Sequence, residues 1–568
     1  MADRFRALEL DIDFSASEVR RQGELLELPP RALEILAVLL RRPGELVTRD
    51  EISAAVWNGA YVDFDRSVNL YVSQLRKEFG DDARDPRYIE TVPRKGYRFV
   101  APVSEEPGRI RIVVLPFENL GPSGDEYLSH GMTDELILQL GRLGPEGLEV
   151  IASTTAFTYK GTAKTAAEIG RELDATHLVE GSVRRHDDEV RIGARLVGTR
   201  DEALLWSDAF QEALPRLLWF QSRIARAIAS EIRIQLSPKV ASRLKGHVPI
   251  PEEAYDLYLK GRHLFFSPQH GPNRRGLEFL ERAIELAPDF AAPRWMLAEA
   301  LVVAASNSSI DQNTVRPIIR KHADRSLVLD PQSAEAWACH ALVRALVDWD
   351  WAGAEEEVRR ALALGAGVDT LRLSGITRLT MGRFDEALAA LVRAVELDPL
   401  SLHTSFIAGW AFHRARRYPE AIDRLEKTVA VDPSGPTGSL FLADCYLHEG
   451  KTAQARELCA QRLETTAGPP MVLAYAASVF ARADRGPEAQ AIVTRLEERV
   501  RSNYVDPYYL AAAYAGLGEN DRALTHLKRA VQERSCVMSI AKFDSFLDPL
   551  RSDARFDAIL KALDLPIT

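Results

Sequence analysis

The chain has 568 residues, several times the roughly 150 residues of an ordinary domain, so one hydrophobic core cannot serve it. Its 46% hydrophobic and 27% charged residues argue against a largely disordered or fibrous protein. The formal net charge is −10, from 72 basic and 82 acidic side chains. This balance argues against a uniformly basic nucleic-acid coat, although a local basic patch can still bind phosphate.

Cysteine usage and the first residues indicate a reducing, intracellular setting. The four cysteines form no C-x-x-C pair and lie near no histidine cluster, so we expect free thiols, no disulfide and no structural zinc. The first ten residues, MADRFRALEL, lack the apolar core of a secretory signal. Apolar runs fall far short of the roughly 18 to 20 residues that span a bilayer. We therefore expect a cytoplasmic protein with no membrane contact and no cofactor.

The first sixty residues combine short strands with helices. Alternating apolar residues predict strands, and apolar residues at helical spacing predict helices. Thr48 precedes the second helix and is placed to cap it. The expected order is three strands over 5–11, 18–22 and 24–28, a helix over 30–40, and a second helix that ends at Trp57.

A third helix is predicted over 65–80, DRSVNLYVSQLRKEFG, where Asp65 can cap the start and Gly80 can end the helix. At 100° per residue one face is apolar, as expected of a core-facing stripe. The opposite face is polar and cationic, with side chains that can contact phosphates or base edges in a major groove. The apolar face holds Val68, Val72, Leu75 and Phe79; the opposite face holds Arg66, Leu70, Ser73, Gln74 and Lys77, with Asn69 and Arg76 at its margins.

A basic hairpin follows this helix. The segment RYIETVPRKGYRFV, residues 87–100, predicts two strands around Pro93-Arg94-Lys95-Gly96. On the helix alone, a merely solvated polar face is as good an interpretation as DNA binding. A cationic hairpin tip beside a cationic helix is typical of a winged helix-turn-helix, and this combination favours DNA binding.

SVNLYVSQLRKEFG followed by YIETVPRKGYRFV resembles the OmpR/PhoB-type DNA-binding domain, and the resemblance covers about residues 4–102. It implies that the third helix enters the major groove and that the wing reaches the adjacent minor groove or backbone. Many members carry arginines where this chain has Ser73 and Gln74, so the target sequence does not transfer. Position by position, the resemblance implies phosphate contacts for Arg66, Ser67 and Tyr71, base contacts for Asn69, Ser73 and Gln74, and further contacts for Arg76 and Thr91, while Arg94 and Lys95 can substitute for a wing arginine replaced by Pro93.

The winged helix begins almost at Met1, with no receiver domain before it, which predicts a regulator without phosphorelay control. The architecture resembles soluble one-component regulators with a HilA-like arrangement of domains. This analogy implies double-stranded DNA as a partner and activation through RNA polymerase, with the loop Asn58 to Phe64 as the candidate polymerase contact. Two copies on DNA are expected to occupy tandem half-sites about 10 base pairs apart.

The middle of the chain, residues 109–245, is predicted to be a mixed α/β domain. LPFENL, VIASTTAFTYKG and EIGRELDATHLVEGSVRR resemble the TolB-like domain, a resemblance that leaves the ligand undefined. No G-x-x-x-x-G-K-[ST] motif occurs, so we expect a structural or partner-docking role. The expected strands cover 110–117, 148–152, 176–185, 189–197 and 204–210, and the expected helices cover 125–140, 165–173 and 214–236.

From residue 251 onward the pattern is helical and repeats. Pro399 and Pro433 each follow an apolar residue and an aspartate, and they lie 34 positions apart, the period of a tetratricopeptide repeat. Small residues recur at matching positions, among them Gly375 and Gly409. We expect about eight repeats, closed by a C-terminal capping helix, that stack into a superhelix with a partner-binding groove. The alternative is a spacer that binds nothing.

The expected domains are a winged helix over 1–103, a TolB-like domain over 109–245 and a repeat array over 251–568. The leading hypothesis is a sequence-specific transcription regulator, an activator by family analogy, whose other two regions bind a signal or a protein partner. The alternative is an interaction scaffold whose winged helix docks protein. Adenylate cyclases share the middle and repeat modules, but no remaining segment is long enough for a cyclase catalytic domain, so we do not expect an enzyme.

Overall fold

A computed structural model of the protein describes residues 4–563, apart from 15–17, 22–23, 27, 58–63, 107–109, 122–125, 142–147, 187–188, 214–223, 226, 229, 233–249, 267–273, 432–435 and 464–468. The chain divides into two compact units, 1–110 and 111–568. Most of the helix predicted over 214–236, and all but the last residue of the loop proposed to contact polymerase, lie outside the described residues. The domain boundaries 1–103, 109–245 and 251–568 stay a prediction.

The first unit begins with an antiparallel sheet in the order β4-β3-β2-β1-β8. The single strand predicted over 5–11 is wrong, because this stretch contains a turn between two paired strands. Leu8 adopts a left-handed backbone (φ +53°) at the turn, where the buried positions change from odd (Phe5, Ala7) to even (Leu10, Ile12). Val103–Glu106, which begins at the predicted end of the winged helix and extends three residues beyond it, pairs with β1. The strands are β1 Arg4–Ala7, β2 Leu10–Asp13, β3 Glu18–Arg21, β4 Glu24–Leu25 and β8 Val103–Glu106.

Three helices and a three-stranded sheet complete this unit. The second helix begins with the expected cap, since the Glu51 backbone N–H donates to Thr48 Oγ1 (3.2 Å) and the Thr48 N–H donates to Glu51 Oε2 (2.7 Å). The third helix begins at Phe64, one residue before the prediction, and Gly80 ends it in the left-handed region (φ +64°). The helices are α1 Pro30–Leu40, α2 Arg49–Trp57 and α3 Phe64–Phe79; the strands, in sheet order, are β5 Val47–Thr48, β7 Gly96–Phe99 and β6 Ile89–Val92.

The second unit starts with a mixed sheet in the order β11-β9-β12-β13-β14, with β10 paired to β12. Strands β9 and β12 are parallel, whereas β12, β13 and β14 form an antiparallel meander. This arrangement confirms the mixed α/β prediction. The strands are β9 Ile110–Val114, β10 Glu118–Asn119, β11 Leu148–Val150, β12 His177–His186, β13 Glu189–Gly198 and β14 Leu204–Ala213; the helices are α4 Glu126–Gly141, α5 Ser153–Phe157 and α6 Ala166–Leu173.

From residue 252 the described residues form eight antiparallel helix pairs, which agrees with the eight repeats expected. A Cβ on Gly375 would approach Leu391 Cγ to 2.6 Å, so only glycine lets the two helices of that pair lie this close. The pairs are α7 Glu252–Phe266 with α8 Arg274–Leu286, α9 Ala292–Ser306 with α10 Gln312–Leu329, α11 Ala334–Val343 with α12 Trp351–Leu364, α13 Val368–Thr380 with α14 Phe384–Leu397, α15 Leu402–Arg414 with α16 Tyr418–Val431, α17 Pro436–His448 with α18 Thr452–Leu463, α19 Pro470–Arg482 with α20 Gly486–Ser502, and α21 Pro507–Gly516 with α22 Asn520–Gln532.

The last part of the chain returns to the repeats. Two 3-10 turns, Cys536–Ile540 and Ser545–Leu550, precede a final helix, α23 Ala554–Lys561. We call residues 535–551 the return segment. It packs on the first helices of successive pairs, and its Phe546 ring stacks on Tyr475 with ring centroids 4.0 Å apart. The surface on which we expected a partner to bind is thus occupied, over this stretch, by the chain itself.

Direct contacts join the mixed sheet to the repeats. Asp398 accepts hydrogen bonds from the Thr155 backbone N–H (3.1 Å) and hydroxyl (2.8 Å). The buried Arg111 guanidinium donates to the Glu396 carbonyl (2.8 Å) and to Glu149 (3.2 Å). Because these bonds are buried or half-buried and link distant parts of the sequence, the two modules form one packed body rather than beads on a linker.

Candidate nucleic-acid interface

Helix α3 is held by one buried face. Val68, Val72, Leu75 and Phe79 are each at most 1% exposed and belong to one core with α1 and the two sheets. This is the apolar stripe that the helical wheel predicts, and its burial fixes which side of the helix turns outward. The outward side is therefore the one with the polar and cationic residues.

The exposed face of α3 offers varied chemistry. Asn69, Ser73 and Lys77 are exposed, and Leu70 is 55% exposed although it is a large apolar residue. An exposed amide, hydroxyl and ammonium can bind base edges or phosphates, and an exposed aliphatic group can contact a thymine methyl. Arg66 lies in the first turn of α3, and its side chain is outside the described part of the chain.

Five of the expected contact residues are less accessible, Arg76 and Thr91 among them. Ser67, Tyr71 and Gln74 are half-buried, and the Tyr71 ring lies 6.2 Å from that of Trp57. The Oε1 atom of Gln74 is buried and has no hydrogen-bond partner among the described residues. Their backbone lies on the margin of the exposed face, where a phosphate group is easier to reach than the centre of a groove.

The wing is the hairpin between β6 and β7. Its turn is closed by the Lys95 N–H, which donates to the Val92 carbonyl (3.1 Å), and Arg94 adopts a left-handed backbone (φ +61°). Pro93, Arg94 and Lys95 are all exposed. A Cβ on Gly96 would clash with the Val47 carbonyl, so glycine allows β7 to pack against β5. Two cations therefore stand at the tip of a hairpin whose base is packed tightly.

Arg76 joins helix α3 to the wing. Its guanidinium donates to the Ile89 carbonyl (2.5 and 3.2 Å) and to the Thr91 hydroxyl (2.8 Å). The structure thus brings together two residues that were both expected to contact DNA, and it makes them partners of each other. Arg76 holds the helix against strand β6, and the Thr91 hydroxyl oxygen is an acceptor in that contact.

A second hydrogen-bond network, centred on Asn69, was not predicted from the sequence. The Asn69 Oδ1 atom accepts from the Tyr97 hydroxyl (2.5 Å) and from Arg49 (2.8 Å), and Arg49 also lies over the Tyr97 ring. With its oxygen engaged as an acceptor, the group that Asn69 can still offer a ligand is its amide nitrogen, a hydrogen-bond donor. Arg49 begins α2, where the helix dipole disfavours a cation, and that misplaced charge is the signal that could have revealed it.

The charged groups around this face are ion-paired on its flanks. Arg42 donates to Glu51 (2.7 Å) and Arg98 donates to Glu90 (3.1 Å). Hydrogen bonds from Arg42 and from Thr48 lower the pKa of Glu51 to about 2. For Lys77, Arg94 and Lys95 the described residues show no carboxylate within salt-bridge distance. These three cations remain available to a polyanion.

Comparison with known proteins supports the sequence-based interpretation. The family described as "Transcriptional regulatory protein, C terminal" matches residues 23–99, which include α1, α2, α3 and the wing. Two tetratricopeptide-repeat families match residues 373–427 and 412–478. The TolB-like resemblance of the middle region stays a prediction.

Several curated proteins are similar to parts of the chain. "Putative adenylate cyclase 3" of Rhizobium meliloti is 27% identical over 44% of this chain and 43% of its own length. "Transcriptional regulator HilA" of Salmonella typhimurium is 23% identical over 67% of this chain and 68% of its own length. "Transcriptional activator CadC" of Escherichia coli is 38% identical over 16% of this chain and 19% of its own length. The chain therefore spans less than half of the first of these relatives.

The sequence predicts a protein with no membrane contact. None of the helices in the described ranges is both long and apolar enough to cross a membrane.

Together, the matched family, the exposed cationic helix and the basic wing identify the N-terminal domain as an OmpR/PhoB-type winged helix, followed in the same chain by a mixed sheet and tetratricopeptide repeats.

Proposed function

We propose that the protein is a sequence-specific DNA-binding regulator of transcription and that its winged helix reads double-stranded DNA. The observation that carries the proposal is the pairing of the exposed face of α3 with the exposed wing tip, held in one orientation by Arg76. In this arrangement α3 occupies the major groove, while Arg94 and Lys95 contact the neighbouring backbone or minor groove.

The contact residues proposed from sequence differ in what the structure shows of their side chains. Asn69, Leu70, Ser73, Lys77, Arg94 and Lys95 are exposed and form the proposed reading surface. Ser67, Tyr71 and Gln74 are proposed to approach phosphates from its margin, and Arg66 completes the start of the helix. Arg76 and Thr91 are proposed to position the wing, with any DNA contact secondary to that role.

The test is selection of DNA fragments from a random library by the full chain. A variant with Lys77→Ala, Arg94→Ala and Lys95→Ala is compared with a control that loses three exposed cations of the repeats, Lys427→Ala, Lys451→Ala and Lys528→Ala. Enrichment of one motif by the native chain and the control, but not by the first variant, supports the proposal. Equal enrichment by both variants would refute the assigned surface, and no enrichment by the native chain would favour a protein-docking scaffold.

The remaining parts of the proposal concern partners. We propose that the mixed sheet and the repeats form a module that receives a signal or a protein, and that two copies bind tandem half-sites in the cytoplasm. Activation through RNA polymerase is proposed by analogy with regulators of this architecture. Replacing the loop 58–63 with glycine and serine should abolish activation and leave DNA affinity unchanged; loss of both together would refute the polymerase contact. No catalytic activity is proposed.

A further inference from the structure

Besides its apolar residues, which join the core of the repeats, the return segment meets the repeats through buried polar groups. Asp544 accepts hydrogen bonds from the hydroxyls of Tyr475 (3.0 Å) and Tyr508 (2.6 Å) and pairs with Arg414. Asp544 is 0% exposed and Arg414 is 2% exposed. The seventh, eighth and fifth helix pairs thus bind one carboxylate, which fixes the segment to the repeats at its centre.

A second carboxylate fixes the segment at its outer edge. Arg416 donates two hydrogen bonds to Asp548 (2.5 and 2.9 Å), and Arg551 donates a third (2.5 Å). Burial opposes ionisation of Asp548, but the hydrogen bonds from the two guanidinium groups outweigh it and keep the pKa of Asp548 below its usual value. The carboxylate is therefore charged at neutral pH and holds both arginines in place.

Beside this contact lies a shallow cavity of about 350 Å³ that is broadly open to solvent. The repeats contribute one wall, and the return segment contributes the other, so the cavity exists only when the segment is docked. Its lining consists of Phe384, Arg414, Ala415 and Arg416 from the repeats and Lys542, Phe543 and Arg551 from the return segment.

The charge of this lining is one-sided. Four of its seven residues are cations and none is acidic. The carboxylates that pair with three of these cations, Asp544 and Asp548, are not part of the lining, and together they offset only two of the four positive charges. A surface depression lined by an excess of cations attracts anions.

Two features of the lining indicate which chemical groups the anion carries. Lys542 is half-buried, and apart from the ring of Phe543, 5.6 Å from its Nζ, the described residues show no partner for its ammonium group. The rings of Phe384 and Phe543 meet edge to face with centroids 5.0 Å apart. Arg416 and Arg551 already donate two and three hydrogen bonds within the protein, but each guanidinium has five N–H donors, so some remain. These donors, a lysine ammonium and an aromatic surface together suit phosphate groups attached to an apolar or planar body.

We propose that this cavity, which we call the return-segment site, binds a phosphate-bearing small molecule. Arg416, Arg551 and Lys542 contact the phosphate oxygens, and Phe384 and Phe543 pack against the rest of the ligand. Because both walls must be present, the ligand stabilises the docked return segment by mass action. The site lies wholly in the second unit and is independent of the DNA-reading surface.

Isothermal titration calorimetry with the full chain tests the proposal, using inorganic pyrophosphate and ADP as probes at physiological ionic strength. The two probes share a diphosphate, but only ADP has a planar body for the phenylalanine rings. The test variant is Lys542→Glu and the matched control is Lys528→Glu, an exposed lysine of α22 that is not part of the lining. Thermal unfolding of each variant verifies that it folds.

We expect saturable binding of at least one probe, and a loss of about tenfold or more in affinity for Lys542→Glu, since a cation a few ångströms from phosphate becomes an anion. Tighter binding of ADP than of pyrophosphate assigns a nucleotide-like ligand, and equal binding assigns a ligand recognised by phosphate alone. Lys528→Glu should bind like the native chain. The proposal is overturned if the native chain shows no saturable binding, or if the control loses as much affinity as the test variant. Should Lys542→Glu not fold, Lys542→Gln takes its place. It must bind the probes more weakly than the native chain and the control, with a smaller loss of affinity than is expected for Lys542→Glu.

Discussion

Cationic side chains have opposite roles in the winged helix and in the repeat array. On the winged helix, Lys77, Arg94 and Lys95 are exposed and stand apart from carboxylates among the described residues. In the repeats, Arg372 and Arg414 are at most 2% exposed and are bound by buried acids. An exposed unpaired cation is ready for a ligand, whereas a buried paired one holds the protein together.

The repeat interior shows why such charges tolerate burial. Arg372 pairs with Glu299 and with Asp369 (3.2 Å), and Asp369 also pairs with Arg262 (2.9 Å). Burial alone would lower the pKa of Arg372, but the two adjacent carboxylates raise it overall. Each charge is therefore compensated, and removing one member of such a network leaves another uncompensated. Variants in the two regions should consequently affect different properties.

The largest effect is expected for Asp544→Ala. The substitution leaves Arg414 buried without its carboxylate and two tyrosine hydroxyls without an acceptor, so the free energy of unfolding of the second unit should fall by about 3–5 kcal/mol. Chemical denaturation followed by circular dichroism measures the loss. Asp423→Ala, which removes an exposed carboxylate paired with Lys427, serves as the control and should cost less than about 1 kcal/mol. DNA affinity retained by Asp544→Ala would sharpen the contrast; similar losses in both variants would contradict it.

A smaller effect, with a characteristic pH dependence, is expected at Asp398. Burial and the neighbouring charge of Asp369 raise the pKa of Asp398 to about 6, against opposing hydrogen bonds from Thr155. Because the folded-state pKa exceeds the unfolded one, the folded state binds the extra proton between pH about 4 and 6. Stability therefore falls as pH rises through this window, and the carboxylate is ionised and buried above it.

Asp398→Asn keeps an oxygen for Thr155 and carries no charge. It should raise the free energy of unfolding at pH 7 by about 1–3 kcal/mol and flatten its dependence between pH 4 and 6. Denaturant titrations at several pH values measure both changes. A variant less stable than the native chain across this range would show that the ionised carboxylate is needed at the junction between sheet and repeats.

On the winged helix, single changes should alter binding and leave stability intact. Lys77→Ala and Lys95→Ala are each expected to weaken DNA binding by about 3- to 10-fold, with little dependence on sequence, and to reduce the slope of log affinity against log salt by about 0.9. Fluorescence anisotropy at several salt concentrations checks this. An unchanged salt slope would mean that the residue does not touch phosphate.

The smallest effect is expected for Thr91→Val, which keeps the shape of the side chain and removes one of the two acceptors of Arg76, the other being the Ile89 carbonyl. The winged helix should lose about 0.5–1.5 kcal/mol of stability, and DNA affinity should fall only slightly because the wing is less firmly oriented. Thermal unfolding of the full chain and anisotropy measure the two quantities. A large loss of affinity at unchanged stability would instead make Thr91 a direct DNA contact.

Local patterns predicted the elements of the winged helix well. Gly80 and the spacing of Val68, Val72 and Leu75 placed α3 to within one residue, because helix ends and buried faces depend on nearby residues. The strand predicted over 5–11 failed because alternation alone does not reveal a turn at which Leu8 takes a left-handed backbone.

Contacts between distant residues could not be predicted in the same way. Arg76 matched a contact position of the family, but its bond to Thr91 depends on how the hairpin docks against the helix. In the repeats the period predicted eight helix pairs, yet gave no sign that Asp544 would bind Tyr475, 69 residues earlier. Without an alignment or a structure, a single sequence does not show which of its many acidic residues closes a contact of that length.

The return segment also changes how the repeats should unfold. A linear repeat array interacts only between neighbours, so its end units fray first and the array unfolds in steps. Here Cys536 bonds to Gln312 in the second pair (3.0 Å) and Asp548 bonds to Arg416 in the fifth, while the segment itself follows the eighth pair directly in the chain. The end of the series is thereby bonded to its second and fifth pairs, which couples the melting of its last units to that of earlier ones.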